Sequence, residues 1–131
     1  MSAIAGFLTF LILTLAGLGG VFWTGLHRQR RRHIPLVFVT LVFLGLAILY
    51  AERLGQTLAL DKDGWIWRVH MIFAYTTPVA YLAPILSGFA TLRDPGWRGL
   101  HGKLAWTVLV LTVLTAVTGA WLVWASPALP S

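Results

Sequence analysis

Residues 28–33 read RQRRRH, and the fold is decided there. Arg28, Arg30, Arg31 and Arg32 stand between two long apolar runs, and the stretch ends in His33. A loop this short and this basic stays on the cytoplasmic side of a membrane, so the apolar runs flanking it read as spans. His33 then places a metal-capable imidazole at the start of the second span. A matching stretch, residues 96–103 (GWRGLHGK), does the same with His101 two spans later.

Working outward, the chain has 131 residues, 58% of them hydrophobic and only 11% charged. That length suits one domain, residues 1–131, and the apolar runs make it a membrane domain rather than a soluble one. There is no cysteine. This excludes disulfides, thiolate-held metals, iron–sulfur clusters and covalently attached c-type haem. The net charge of +6 comes largely from the two basic loops. The positive-inside bias accounts for it, and no nucleic-acid partner is expected.

The spacing predicts four spans at about 3–26, 33–53, 65–91 and 100–124. The first run is free of charge, and it lacks a basic leader and an A-x-A cleavage site, so it reads as a permanent span. Gly6, Gly17, Gly19 and Gly20 allow close approach of a neighbouring helix or a flat cofactor. Pro35 fits an early position of the second helix. Pro78 and Pro84 fall inside the third span and should bend it. Asp94-Pro95-Gly96 is a turn signal before the fourth span. Thr107, Thr112, Thr115, Thr118 and Gly119 give that span small, hydroxylated faces suited to helix contact. The tail, residues 125–131, carries two prolines and reads as irregular.

Arg28, Arg30, Arg31, Arg32, Arg93, Arg98 and Lys103 fall on one side, against Arg53, Lys62 and Arg68 on the other. Both basic loops are therefore expected in the cytoplasm of a bacterial inner-membrane protein, with both termini on the opposite side. Short loops predict an all-α, up-down-up-down four-transmembrane-helix bundle, with the second and fourth helices on one diagonal.

Four histidines in so apolar a chain carry the candidate chemistry. His33 and His101 begin diagonal helices at matching depth and face one iron from both sides in this reading, as axial imidazoles of a b-type haem. Gly99 and Gly102 beside His101 leave room for the porphyrin. Arg30, Arg31, Arg32, Arg98 and Lys103 suit its propionates. His27 is the alternative to His33. His70 lies near the opposite face, about a turn and a half inside the third span. The first helix offers it no second histidine. It is left as a ligand to a pigment or five-coordinate haem, a quinone contact, or a hydrogen-bonding group inside the bundle. Phosphate loops, H-E-x-x-H and nucleophile elbows are absent from the sequence, and no carboxylate falls inside a span.

Residues 30–34 (RRRHI), residues 67–70 (WRVH) and residues 99–122, which open GLHGKLAW and close TGAWL, resemble the cytochrome b561 superfamily in its small four-helix bacterial form. The likeness covers nearly the whole chain. It implies histidines on alternating helices that hold b haems and pass electrons across the membrane. His33 and His101 match the inner ligand pair, and His70 matches one ligand of the outer pair. Its partner on the first helix is missing.

The function expected is a haem b electron-transfer protein or subunit, rather than a stand-alone enzyme, exchanging electrons with quinone or a redox partner. The alternatives are a cofactor-free structural subunit of a larger membrane complex, packed against other membrane-protein subunits, and a pigment- or quinone-binding subunit.

Overall fold

A computed structural model describes residues 1–129. The described residues are all-α apart from turns and one isolated antiparallel bridge between Leu58 and Ala128. The helices are α1 (Ala3–Leu26), α2 (Arg30–Gly55), α3 (Trp65–Ala80), α4 (Leu82–Arg93) and α5 (Arg98–Ala125), with a 3-10 turn at Pro95–Trp97. With α3 and α4 counted as one interrupted span, four of the described segments are long and apolar enough to cross a membrane. This is the architecture of an all-α, four-helix integral membrane protein with a lipid bilayer as its surroundings.

The chain forms two compact units. The first is Met1–Ala59, joined by Ala128 and Leu129, and the second is Leu60–Pro127.

In the first unit α1 packs along α2. Ser2 opens α1 by accepting the Ala5 N–H on its hydroxyl, 3.3 Å away. The helix ends in a Schellman turn. The Gln29 N–H reaches the Thr24 carbonyl at 2.8 Å and the Arg28 N–H reaches the Gly25 carbonyl at 3.1 Å. Arg28 itself sits at φ 55°, where glycine is the usual occupant. The contact seam of α2 steps by threes and fours through His33, Leu36, Thr40, Phe43, Ala47, Tyr50 and Leu54. Gly17 and Gly6 of α1 lie directly against Thr40 and Tyr50, and Phe10 stacks on Tyr50 with ring centroids 5.6 Å apart.

Helix α2 begins three residues before the expected start at His33, because the three arginines 30–32, good helix formers, carry its first turn. Pro35 is therefore the sixth helical residue rather than an early one, and the Arg31 carbonyl loses its usual i+4 donor.

In the second unit α3 and α4 follow one another along α5. The expected disturbance of the third span is a break at Tyr81, three residues before Pro84. The bonds bordering it are long, with Tyr81 N–H to Thr77 carbonyl at 3.2 Å and Ile85 N–H to Tyr81 carbonyl at 3.3 Å. Pro84 has no N–H to offer Ala80, so the ladder fails at this turn. Asp94 caps the 3-10 turn by accepting the Gly96 N–H at 2.8 Å.

Both units bury hydroxylated side chains beside apolar ones and carry many large apolar side chains on the outside. The buried polar side chains are hydroxyls: Thr14, Thr24, Thr40, Thr77, Ser87 and Thr112. Leu, Ile, Val, Phe and Trp side chains point outward, among them Ile12, Val42, Ile72, Leu86 and Val117. In a bilayer the tails solvate apolar side chains, and helices meet instead through small residues and hydrogen bonds.

Candidate functional site

Three histidines are half-buried in helix contacts, and His27 is exposed. His27 Nδ1 donates to the Trp23 carbonyl of its own helix at 2.8 Å, with its ring 4.1 Å from that of Trp23. It closes the end of α1.

His33 is the fourth residue of α2, and His101 the fourth of α5. The two ligand candidates thus occupy the same register in their helices. In the first unit His33 Nδ1 lies 3.0 Å from the Val21 carbonyl and 3.2 Å from the Thr24 hydroxyl. In the second, His101 Nδ1 lies 3.0 Å from the Pro84 carbonyl and 3.2 Å from the Ser87 hydroxyl. A carbonyl oxygen only accepts, so Nδ1 carries the proton in both rings. The lone pair of the neutral imidazole is then on Nε2, the tautomer a metal requires of a histidine oriented in this way.

His70, the sixth residue of α3, makes its contact with α5. Its Nδ1 lies 3.0 Å from the Thr118 hydroxyl, and the Thr115 backbone is a further partner. The Thr118 hydrogen is committed to the Leu114 carbonyl at 2.8 Å, so Nδ1 of His70 is again the donor. The hydroxyl comes from α5, whose threonine-rich face the sequence shows. That face also pairs Thr115 with Thr77 at 2.8 Å and Thr112 with the Tyr81 phenol at 2.9 Å. At about 1.5 Å per residue, His101 and the Thr118 that holds His70 are about 25 Å apart along α5. The second unit therefore carries one anchored histidine toward each end.

The residues expected to flank a haem are open. A Cβ at Gly99 or Gly102 would meet nothing within 4 Å. Arg30, Arg31, Arg32, Arg98 and Lys103 are exposed near the starts of α2 and α5. Gly6 and Gly17, by contrast, are filled by Tyr50 and Thr40. Among the described residues no three His, Cys, Asp or Glu side chains gather as an all-protein metal cage. The donors offered are single imidazoles. Axial ligation of a haem asks for imidazoles of this kind, because the porphyrin supplies the other four nitrogens.

Of the histidines' partners, the sequence points to Thr118 only as a helix-contact residue, and to Thr24 and Ser87 not at all. Their signal is a dipeptide: Thr24-Gly25, Ser87-Gly88 and Thr118-Gly119 are the three places where the sequence sets Ser or Thr before Gly. No protein-family model, no curated protein and no solved structure matches this chain.

Proposed function

We propose that this chain is a b-type haem-binding electron-transfer protein or subunit of a membrane, with Nε2 of His33 and His101 as the iron ligands. The observation that carries the reading is the Nδ1–H to carbonyl bond at each, to Val21 and to Pro84, both 3.0 Å. That bond orients the ring and would strengthen Nε2 as a donor toward a haem iron. The equal register of the two residues in α2 and α5 supports the same assignment. Arg31, Arg98 and Lys103, exposed near the starts of these helices, are the proposed propionate partners. The resemblance to the b561-like proteins points the same way.

In this reading both basic loops face the cytoplasm of a bacterial inner membrane. A bound haem would supply one-electron chemistry. His33 and His101 would hold its iron, and Arg31, Arg98 and Lys103 would neutralise its propionates. Quinone or a redox protein is the electron partner.

The test is a reduced-minus-oxidised absorption spectrum of the purified protein with haem quantification. The expected result is a low-spin b-type spectrum. A protein that takes up no haem, either as isolated or after incubation with ferric protoporphyrin IX, overturns the reading and leaves the cofactor-free structural subunit.

A further inference from the structure

Each of the three half-buried histidines meets the same local construction. A helix carbonyl at position k lies against the imidazole, a Ser or Thr stands at k+3 and a glycine at k+4. The sets are Val21, Thr24, Gly25 for His33, and Pro84, Ser87, Gly88 for His101. The third set is Thr115, Thr118, Gly119 for His70.

The spacing has a physical reason. In an α-helix side chains lean toward the N-terminus, so the residue at k+4 covers the carbonyl at k. Glycine at k+4 leaves that carbonyl bare on its outer side, and its second lone pair becomes reachable from a neighbouring helix. The space a side chain would fill is occupied by the histidine. A Cβ built at Gly25 would meet His33 Cε1 at 3.2 Å, and at Gly88 it would meet His101 Cε1 at 3.3 Å. At Gly119 it would meet His70 Cε1 at 3.0 Å. The hydroxyl at k+3 satisfies its own hydrogen on the helix backbone, as Thr24 does on Gly20 at 2.8 Å and Ser87 on Pro84 at 3.2 Å. Its oxygen is thereby turned toward the imidazole N–H. Other backbone-bonded threonines, such as Thr14, Thr40, Thr91 and Thr107, are not followed by glycine and hold no histidine in these contacts.

We propose that Thr24-Gly25, Ser87-Gly88 and Thr118-Gly119 are positioning pairs that orient His33, His101 and His70 and select, for the neutral ring, the tautomer with the proton on Nδ1 and the lone pair on Nε2. The metal-directed purpose of this tautomer rests on the haem reading above; the tautomer itself does not. For His70 the pair Thr118-Gly119 makes Nε2 the nitrogen on offer, although α1 brings it no second histidine.

The experiment separates the two. The full chain, labelled with 15N-histidine and kept metal-free in detergent at alkaline pH, reports each tautomer through its ring nitrogen shifts. Peaks are assigned by single His→Gln variants. His33, His70 and His101 are expected as Nδ1–H tautomers. Gly25→Ala, Gly88→Ala and Gly119→Ala are each expected to move only their own histidine toward a mixture of tautomers. Thr118→Val is expected to do the same to His70, and Thr118→Ser to restore it. An Nε2–H tautomer at any of the three in the unaltered protein overturns the proposal. So does a set of folded glycine variants whose histidine shifts are unmoved. In a second arm the same proteins are titrated with ferric protoporphyrin IX. Gly25→Ala and Gly88→Ala are expected to convert a low-spin spectrum to a high-spin one. Failure of the unaltered protein to bind the porphyrin, with the tautomers as expected, overturns the haem reading and leaves the positioning pairs standing.

Discussion

The carbonyl of Pro84 lies 3.0 Å from Nδ1 of His101, joining α4 to the first turn of α5. The two residues are far closer in space than in sequence, and both owe their place to backbone chemistry. Pro84 cannot donate to Ala80, so α4 is set off from α3 at Tyr81. Asp94 caps the tight turn that starts α5, and His101 comes to rest over the bare carbonyl above Gly88. His33 stands over Val21 at the same 3.0 Å in the first unit, where the Schellman turn after Gly25 reverses the chain.

His33→Ala and His101→Ala are each expected to abolish the haem or leave it high-spin and weakly held. His70→Ala is expected to leave this haem in place. Absorption and EPR spectra of the three purified variants check this. Full low-spin haem in both His33→Ala and His101→Ala would remove the ligand assignment.

Neutralising Arg31 and Arg98 together should lower the midpoint potential, since positive charge near the haem favours its electron-rich reduced form. The effect should be modest, about 1 kcal/mol or less for each exposed charge, and should shrink as salt is added. Redox titration at two ionic strengths reads it. A raised potential with haem content intact would count against the propionate role.

Topology is testable without any cofactor. A cysteine placed at Ser126, in a chain that has none of its own, should react with a membrane-impermeant maleimide from the periplasmic side. A cysteine at Gln29, in the basic loop, should react only after the membrane is opened. The reverse pattern would invert the orientation.

The Thr77–Thr115 hydroxyl pair at 2.8 Å ties α3 to α5. Thr77→Val should cost about 0.6 kcal/mol, and at most about 1.7, the range found for hydrogen bonds between membrane helices. A double-mutant cycle with Thr115→Val isolates the pair. A coupling near zero would mean that packing alone joins the helices there.

Gly17 gives a steric test of the first unit. Its Cβ position is already taken by Thr40. Gly17→Ala should destabilise the α1–α2 pair by about 1–3 kcal/mol, the usual range for overpacking a filled contact. Gly17→Ala with Thr40→Ala should recover much of that loss. Gly19, with nothing within 4 Å, should accept alanine freely. Denaturation in mixed detergent micelles compares them.

The elements that were legible in the sequence are those with a strong one-dimensional signal. The bilayer forces long uncharged runs into helices, so the first span, expected at 3–26, is observed at Ala3–Leu26. The fourth, expected at 100–124, extends to Arg98–Ala125 because the turn at Asp94-Pro95-Gly96 runs straight into it. The threonine face of α5 was legible for a related reason: hydroxyls at helical spacing in an apolar run suit contact with another helix. Thr112, Thr115 and Thr118 do so, while Thr107 bonds its own backbone at Lys103.

Sequence alone determined the four apolar segments, the asymmetric placement of arginine and where along the spans His33, His70 and His101 fall. Length, charge and residue type are properties of the chain read in order, and the membrane acts on them directly. Tertiary structure decided which atom of each histidine is engaged. Hydrogen-bond partners on another helix depend on the facing of two surfaces, on a carbonyl left bare by one missing Cβ, and on a hydroxyl turned by its own backbone bond. The Ser/Thr–Gly pairs stand in the sequence as plain dipeptides. Only when Gly25, Gly88 and Gly119 are seen beneath His33, His101 and His70 do they acquire a chemical role. No spacing along the chain could supply that, because each pair belongs to one helix and its histidine to another.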